Sequence, residues 1–444
     1  MRKLLFFLLI LGTFVPFACT AQELTLAQCI QIGLQQNPSL LAAKYKASAA
    51  EKDVKIARAD FFPHLSSSAA YSRIDSSYAH GPTDTDYINQ DILSANIKLS
   101  QILYAGSRLV NTYDRARYLE QANQAETQLA KMDLTYKIET TFYRVMKAKQ
   151  DVLVSQESVD RLQKNVQVAE AFLKKELVAS VEVLKARVDL DDANNQLSIA
   201  KNNENRERVT LFSLMNLPPD AGTFFIEETI ISIDKGPSFD ECYQLALEQR
   251  PDLQSLMFQK QAAYKQSEVA LGKYLPVVRL EGGFYDQDTN YDSLGNTGYS
   301  TYDRDQTNQY WMAGISLSWD LFDGGSALYE SQKSDIDASR FGALIRDAQN
   351  TLATEIRKSL FSLSEAEQRL KASGSGLTAA QENYSAEENR LKAGVSTMTD
   401  VLNAQSRLVR AQVNQANATL DYQVAKSELK FLTGSKKSWS KFKN

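Results

Sequence analysis

The chain has 444 residues, with 50 basic against 54 acidic side chains, two His and three Cys. A net charge of −4 excludes a general nucleic-acid binder, which needs a basic stripe. Two His and three Cys exclude a zinc array, and nine Pro with 19 Gly are too few for disordered linkers or a turn-rich all-β protein.

Residues 1–21 read as a secretory signal. Arg2 and Lys3 form a basic start, an apolar run of 12 residues (4–15) follows, and Cys19-Thr20-Ala21 fits a small-x-small cleavage site. The run is too short to cross a bilayer. Cys19 leaves open a second processing, cleavage after Ala18 with lipidation of the cysteine, against which Pro16 and Phe17 weigh. No later stretch of 18 apolar residues exists, so membrane insertion has to use a β-barrel.

Downstream, the chain is written twice. Leu26-Ala27-Gln28-Cys29 through Asn37-Pro38-Ser39-Leu40 matches Phe239-Asp240-Glu241-Cys242 through Arg250-Pro251-Asp252-Leu253 at an offset of 213. Leu103-Tyr104-Ala105-Gly106 matches Leu321-Phe322-Asp323-Gly324 at an offset of 218, and Val183-Leu184-Lys185-Ala186 matches Val401-Leu402-Asn403-Ala404 at the same offset. Such a period is too long for a solenoid and marks duplication of a whole structural unit. The repeats occupy 22–217 and 239–434, joined by a connector at 218–238 and followed by a tail at 435–444.

Each repeat carries the same predicted elements. A short helix (26–36) ends at Asn37-Pro38, because the residue before proline disfavours the α region, and a second helix runs from 38 to 60. Strands follow at 65–73 and 91–103, then a very long helix at 107–175, a break at 176–181 and a helix reaching 216. The second repeat places helices at 240–250 and 251–274, strands at 277–286 and 309–321, and helices at 326–392 and 398–433. The fold class is mostly α with a small β part.

The strands alternate. Leu93, Ala95, Ile97, Leu99 and Leu103 interleave with polar residues, as do Trp311, Ala313, Ile315, Leu317, Trp319 and Leu321. A half-buried soluble strand shows the same alternation. Runs of about 11 residues, with tryptophan at both ends of one apolar face, instead match tilted bilayer-crossing strands. Ile97, Leu99, Trp311, Ile315, Leu317 and Trp319 are then expected to face lipid, with Ser316 and Ser318 facing the lumen. Four strands per chain cannot close a barrel, since the smallest closed ones have eight, and open edges are not tolerated in lipid. The barrel must therefore be shared, with eight strands from two copies or 12 from three.

The helices carry heptads. Leu363, Leu370, Leu377, Tyr384 and Leu391 recur every seven residues, as do Val183, Leu190, Leu197, Glu204 and Leu211, and Val401, Leu408, Gln415, Tyr422 and Leu429. Sustained sevens imply coiled-coil packing. Polar Glu204 and Gln415 at seam positions favour a hollow tube over a solid core. Gly374 and Gly376 weaken the long helix locally.

The paired strand–long-helix units, the two strand ends at 103–106 and 321–324, and the segment Asp400-Val401-Leu402-Asn403-Ala404 resemble the TolC-like outer membrane efflux protein family over essentially the whole mature chain. The resemblance implies a homotrimer in which a 12-stranded outer membrane barrel stands on a long periplasmic α-helical barrel. It implies an exit duct serving an inner-membrane transporter and a periplasmic adaptor (membrane fusion) protein. It also places adaptor-contacting hairpin tips at Leu177, Val178, Ala179, Ser180 and at Gly394, Val395, Ser396, Thr397, and the connector in a girdle around the tunnel. The second tip has the family's glycine at Gly394, where the first has Glu176. A pore constriction is implied at Asp400, at its counterpart Glu182, and at Asn403, where the family has a second acid. Read by position alone, Asp400 is equally a helix N-terminal acid favoured by the macrodipole.

The remaining candidates are weaker. Cys29 and Cys242 occupy equivalent positions and read as small core residues rather than a disulfide or metal pair. His64 and His80 lack ligand partners at metal spacing, and the loops at 74–90 and 286–308, with Asp84, Asp86, Asp286, Asp288, Asp292, Asp303 and Asp305, read as solvated surface. No phosphate loop, nucleophile elbow or metalloprotease helix is found, so neither an enzyme, a cofactor nor a metal is expected. Two function classes stand on these features: a passive export duct, and a trimeric outer-membrane-anchored structural or adhesive coiled-coil stalk.

Overall fold

The computed structural model describes residues 24–79, 85–219, 237–293 and 306–434, which fall into two compact units. The signal segment, most of the connector, His80, Asp84, Asp303, Asp305 and the tail lie outside the described residues. The elements in chain order are α1 (Leu26–Gln36), α2 (Pro38–Ala59), β1 (His64–Ala79), β2 (Thr85–Tyr104), α3 (Arg108–Lys174), α4 (Ser180–Leu214), α5 (Phe239–Gln249), α6 (Pro251–Leu271), β3 (Val277–Ser293), β4 (Gln306–Ser318), α7 (Ser326–Lys392) and α8 (Met398–Thr433). The chain is mostly helical with one small sheet, and the duplication is visible element by element.

Helix starts repeat with the sequence. Thr25 Oγ1 accepts from Gln28 N while the Gln28 side chain accepts from Thr25 N, a capping box that Ser238 and Glu241 reproduce at the start of α5. The turns from strand into long helix are also twins. Gly106 and Ser107 take φ of 61° and 63°, and Gly324 and Gly325 take 71° and 83°. A Cβ on Gly106 would lie 2.5 Å from the Gly272 carbonyl oxygen, so only glycine fits there.

The first unit comprises residues up to 41, 130–249 and 352 onward, as far as they are described. Its largest apolar cluster joins α1, α3 and α4 through Cys29, Ile138, Phe142, Leu211 and Met215. Asn37 holds the joint: its amide donates to Leu214 O at 3.0 Å and its Oδ1 accepts from Leu40 N at 3.1 Å. Cys29 and Cys242 are buried free thiols pushed up to about 11 by desolvation, as small core residues should be.

The two helical hairpins pack by their heptads. Val166, Ala169, Val183 and Ala186 close α3 on α4, with Leu190 beside them. Ala366, Leu370, Ala418, Tyr422 and Ala425 close α7 on α8, with Leu363 alongside. Gln415, expected to point to a hollow tube, accepts from Ser373 Oγ at 2.6 Å within its own hairpin, so its polarity is used there. α7 runs unbroken through Gly374 and Gly376.

The second unit comprises the rest, including the sheet. Its helical part buries small residues, among them Ala50, Ala122, Ala262, Ala338, Ser267 and Ser331. Close approach follows, with the Ser267 and Ser331 hydroxyls 2.8 Å apart across α6 and α7, and Thr127 Oγ1 donating to Ala43 O at 3.1 Å across α3 and α2. The sheet is antiparallel throughout, in the order β1-β2-β3-β4.

The strands differ from expectation in their ends. β1, β2 and β3 have 16, 20 and 17 residues, and they extend well into the Asp/Tyr-rich segments expected to be loops. Those polar segments pair residue for residue, Asp75 with Asn89 and Asp91 with Asn290 for example, which satisfies their backbone in the ladder. β4 stops at Ser318, short of the expected 321. Trp319 thus lies past the strand, its indole N–H donating to Tyr274 O at 2.9 Å.

Candidate functional site: hairpin tips and the apolar sheet face

The second tip is tightly specified. α7 ends at Lys392 and Gly394 turns left-handed at φ 73°. Gly394 N donates to Leu391 O and Val395 N to Arg390 O, the paired bonds of a Schellman ending. Thr397 then caps α8. Its hydroxyl accepts from Asp400 N at 3.2 Å, while Asp400 Oδ2 accepts from Thr397 N at 3.0 Å and from Thr397 Oγ1 at 2.6 Å. Ser396 Oγ donates to Glu387 Oε2 at 2.7 Å, and Glu387 also receives Arg390.

These bonds set the electrostatics of Asp400. The Thr397 hydroxyl, then the Thr397 backbone N–H, hold its carboxyl below the usual range. Asp400 is therefore a capping acid. Its side chain is also exposed, as is Asn403 one turn on, so both stand on the solvent side of α8. Sequence reading weighed the cap for Asp400 but missed the reciprocal box. The Thr-x-x-Asp spacing at 397–400 is the signal that identifies it.

The first tip makes the same turn with poorer residues. Glu176 N donates to Leu173 O and Leu177 N to Phe172 O, and Glu176 takes φ 60° where its counterpart is glycine. Ala179 stands at the N-cap of α4 and supplies no side-chain cap. Glu182, in the first turn, pairs with Lys185 at 2.9 Å rather than with a cap residue. The first tip, which has Glu176 in place of glycine, thus makes the same turn as the second. Leu177 at 66% and Val395 at 65% exposure present one large apolar side chain on each tip. Ala179, Ser180, Gly394 and Thr397 are exposed, and Val178 and Ser396 half-buried.

The sheet sorts its residues by face. Register puts Ile97, Phe284 and Trp311 in one row across β2, β3 and β4, and Leu99, Gly282 and Ala313 in the next. Leu280 and Ile315 pair on the same face, followed by Val278 and Leu317. Trp311 is 79% and Ile315 70% exposed. The opposite face carries Ser94, Asn96, Lys98, Glu281 and Ser316, with Lys98 and Glu281 3.6 Å apart. A sheet with an apolar exposed face and a polar opposite one suits lipid on one side and water on the other. Among the described residues no helix is long and apolar enough to cross a membrane, and no cluster of His, Cys, Asp or Glu could hold a metal ion.

Comparison with known proteins agrees with this geometry. The family model described as "Outer membrane efflux protein" matches residues 29–217 and 242–435, one match per repeat. Outer membrane protein TolC of Escherichia coli (strain K12) is 23% identical over 425 residues, covering 94% of this chain and 84% of that protein. The Campylobacter jejuni CmeC outer membrane channel superposes with a TM-score of 0.76 at 16% identity, covering 92% of this chain and 85% of that one. VceC, an outer membrane protein of Vibrio cholerae, gives 0.74 at 18% identity over 92% and 96%. The match of the family model to both repeats, on a chain whose sheet and hairpins are built as described, means that the chain belongs to the outer membrane efflux protein family.

Proposed function

We propose that three copies of this outer membrane protein close a 12-stranded barrel above a periplasmic α-helical tunnel, forming the exit duct of a tripartite export system. One observation carries the reading: a four-stranded sheet whose edges, β1 and β4, have no further partner among the described residues, and whose apolar face is exposed. Such edges must be satisfied by further copies in lipid. The polar face with Lys98 and Glu281 favours a water-filled lumen, and with it a duct over a solid stalk. The tips at 174–182 and 392–400 dock a periplasmic adaptor fed by an inner-membrane transporter, with Leu177 and Val395 as apolar contacts. Three copies each of Asp400, Glu182 and Asn403 narrow the pore.

Native mass spectrometry of the detergent-extracted protein tests the assembly, together with conductance in planar bilayers. The expected result is a mass three times that of the mature chain and a discrete conductance. A stable monomer rejects the shared barrel, and a trimer without conductance supports the stalk.

A further inference from the structure

A cavity of about 450 Å³ lies between α3, α7 and α8 within the first unit, away from the tips and the sheet. This volume is in the range of small-molecule sites. Its lining has three chemical parts. Tyr143, Met146, Leu377 and Leu420 give an apolar wall. Lys147 and Lys149 are half-buried, and neither makes an ion pair among the described residues. The rest is mostly glutamine, and no acidic side chain lines the cavity. Gln412 belongs to this group: its Oε1 is buried without a hydrogen-bond partner, while its amide reaches Glu157 Oε2 at 3.5 Å.

We infer that this cavity binds an amphiphilic organic anion: an apolar body with a carboxylate or sulfonate at one end. The anion follows from two half-buried lysines on the lining with no acid among the lining residues, which leaves the cavity wall positively charged. The apolar body follows from the wall opposite. Asp151, one turn further along α3, feels Lys147 but does not line the cavity. The site does not depend on the duct reading.

The probe is 6-hydroxy-2-naphthoate, titrated by its fluorescence against the full-length protein in lipid nanodiscs, with empty nanodiscs as blank. One saturable site per chain is expected. Removing the carboxylate, with 2-naphthol as probe, should weaken binding at least tenfold, and so should Lys147→Gln combined with Lys149→Gln. Leu377→Trp, which places an indole in the cavity, should abolish saturable binding. The lysine double variant keeps most of each side chain's stem and so tests the site even if the tryptophan variant fails to assemble. Absence of saturable binding above the blank, or affinity within twofold of wild type in the lysine double variant, overturns the proposal. Conductance of the same wild-type sample reports on the duct separately, so a conducting protein without binding defeats the site alone.

Discussion

Glu176 and Gly394 stand at the same place in the two halves, and both take a left-handed backbone, at φ 60° and 73°. The same pair of end bonds surrounds each, so the hairpin imposes the conformation and the residue type only sets its cost. That cost is about 1 kcal/mol for an L-residue and small for glycine. The first tip bears it and also lacks a side chain at its N-cap, Ala179.

Glu176→Gly should therefore stabilise the first tip by about 1 kcal/mol, and Gly394→Ala should weaken the second by a similar amount. Hydrogen exchange of amides in 174–183 and 392–401 reads this locally. About fivefold slower exchange at the first tip and faster exchange at the second are expected. Unchanged exchange in both variants would show that the turns bear no strain.

The second tip should be acid-sensitive. The folded-state pKa of Asp400 is lowered, chiefly by the Thr397 hydroxyl. Its stabilisation is then present above the unfolded carboxylate pKa and is lost as pH falls through the lower folded value. Protection in 392–401, taken relative to the intrinsic exchange rate at each pH, should fall on acidification below about pH 4, and Asp400→Asn should flatten that fall. An identical pH profile in the variant would exclude Asp400 as its source.

In the proposed trimer the same acid would also bear on conduction. Three copies of Asp400 and Glu182 near the axis of a trimer would repel one another and favour cations. Asp400→Asn combined with Glu182→Gln should lower cation selectivity and divalent-cation block in planar bilayers, with assembly intact. If single-channel recordings match the wild type in both properties, the acids act only at their helix starts.

Sheet register gives a sharper contrast. Ile315 pairs with Leu280 on the apolar face, and Ser316 pairs with Arg279 on the polar one. Ile315→Arg should destabilise the assembled barrel by about 2–4 kcal/mol if it sits near the bilayer midplane, whereas Ser316→Arg should be tolerated. Heat resistance of the assembled form on gels measures both. Equal tolerance would reject the assignment of faces.

Two glycines should respond in opposite ways. Gly106→Ala places a Cβ 2.5 Å from the Gly272 carbonyl at a positive φ, and should cost at least about 3 kcal/mol or prevent assembly. Gly376 lies inside α7 with open space around it, so Gly376→Ala should stabilise by about 1 kcal/mol. Thermal unfolding of the two variants decides it.

The sequence by itself determined whatever is written in local periodicity. The offsets of 213 and 218 exposed the duplication. The seven-residue spacing located the seams that Val183, Leu370 and Tyr422 close, and the two-residue spacing placed Ile97, Trp311 and Ile315 on one face. These patterns survive because burial on one face of a helix or strand is a local constraint. Tertiary structure decided what depends on a distant partner. β1, β2 and β3 run on through Asp-rich segments because each has a neighbouring strand to pair with, a fact no local composition carries. Trp319 leaves the strand for a carbonyl at Tyr274, 45 residues away. Glu176 takes a glycine's conformation because closing α3 on α4 over Val166 and Val183 outweighs the strain of one residue. The cavity of α3, α7 and α8 came from the fold alone, since its lysines on α3 and its glutamines on α7 and α8 lie more than 200 residues apart in the chain.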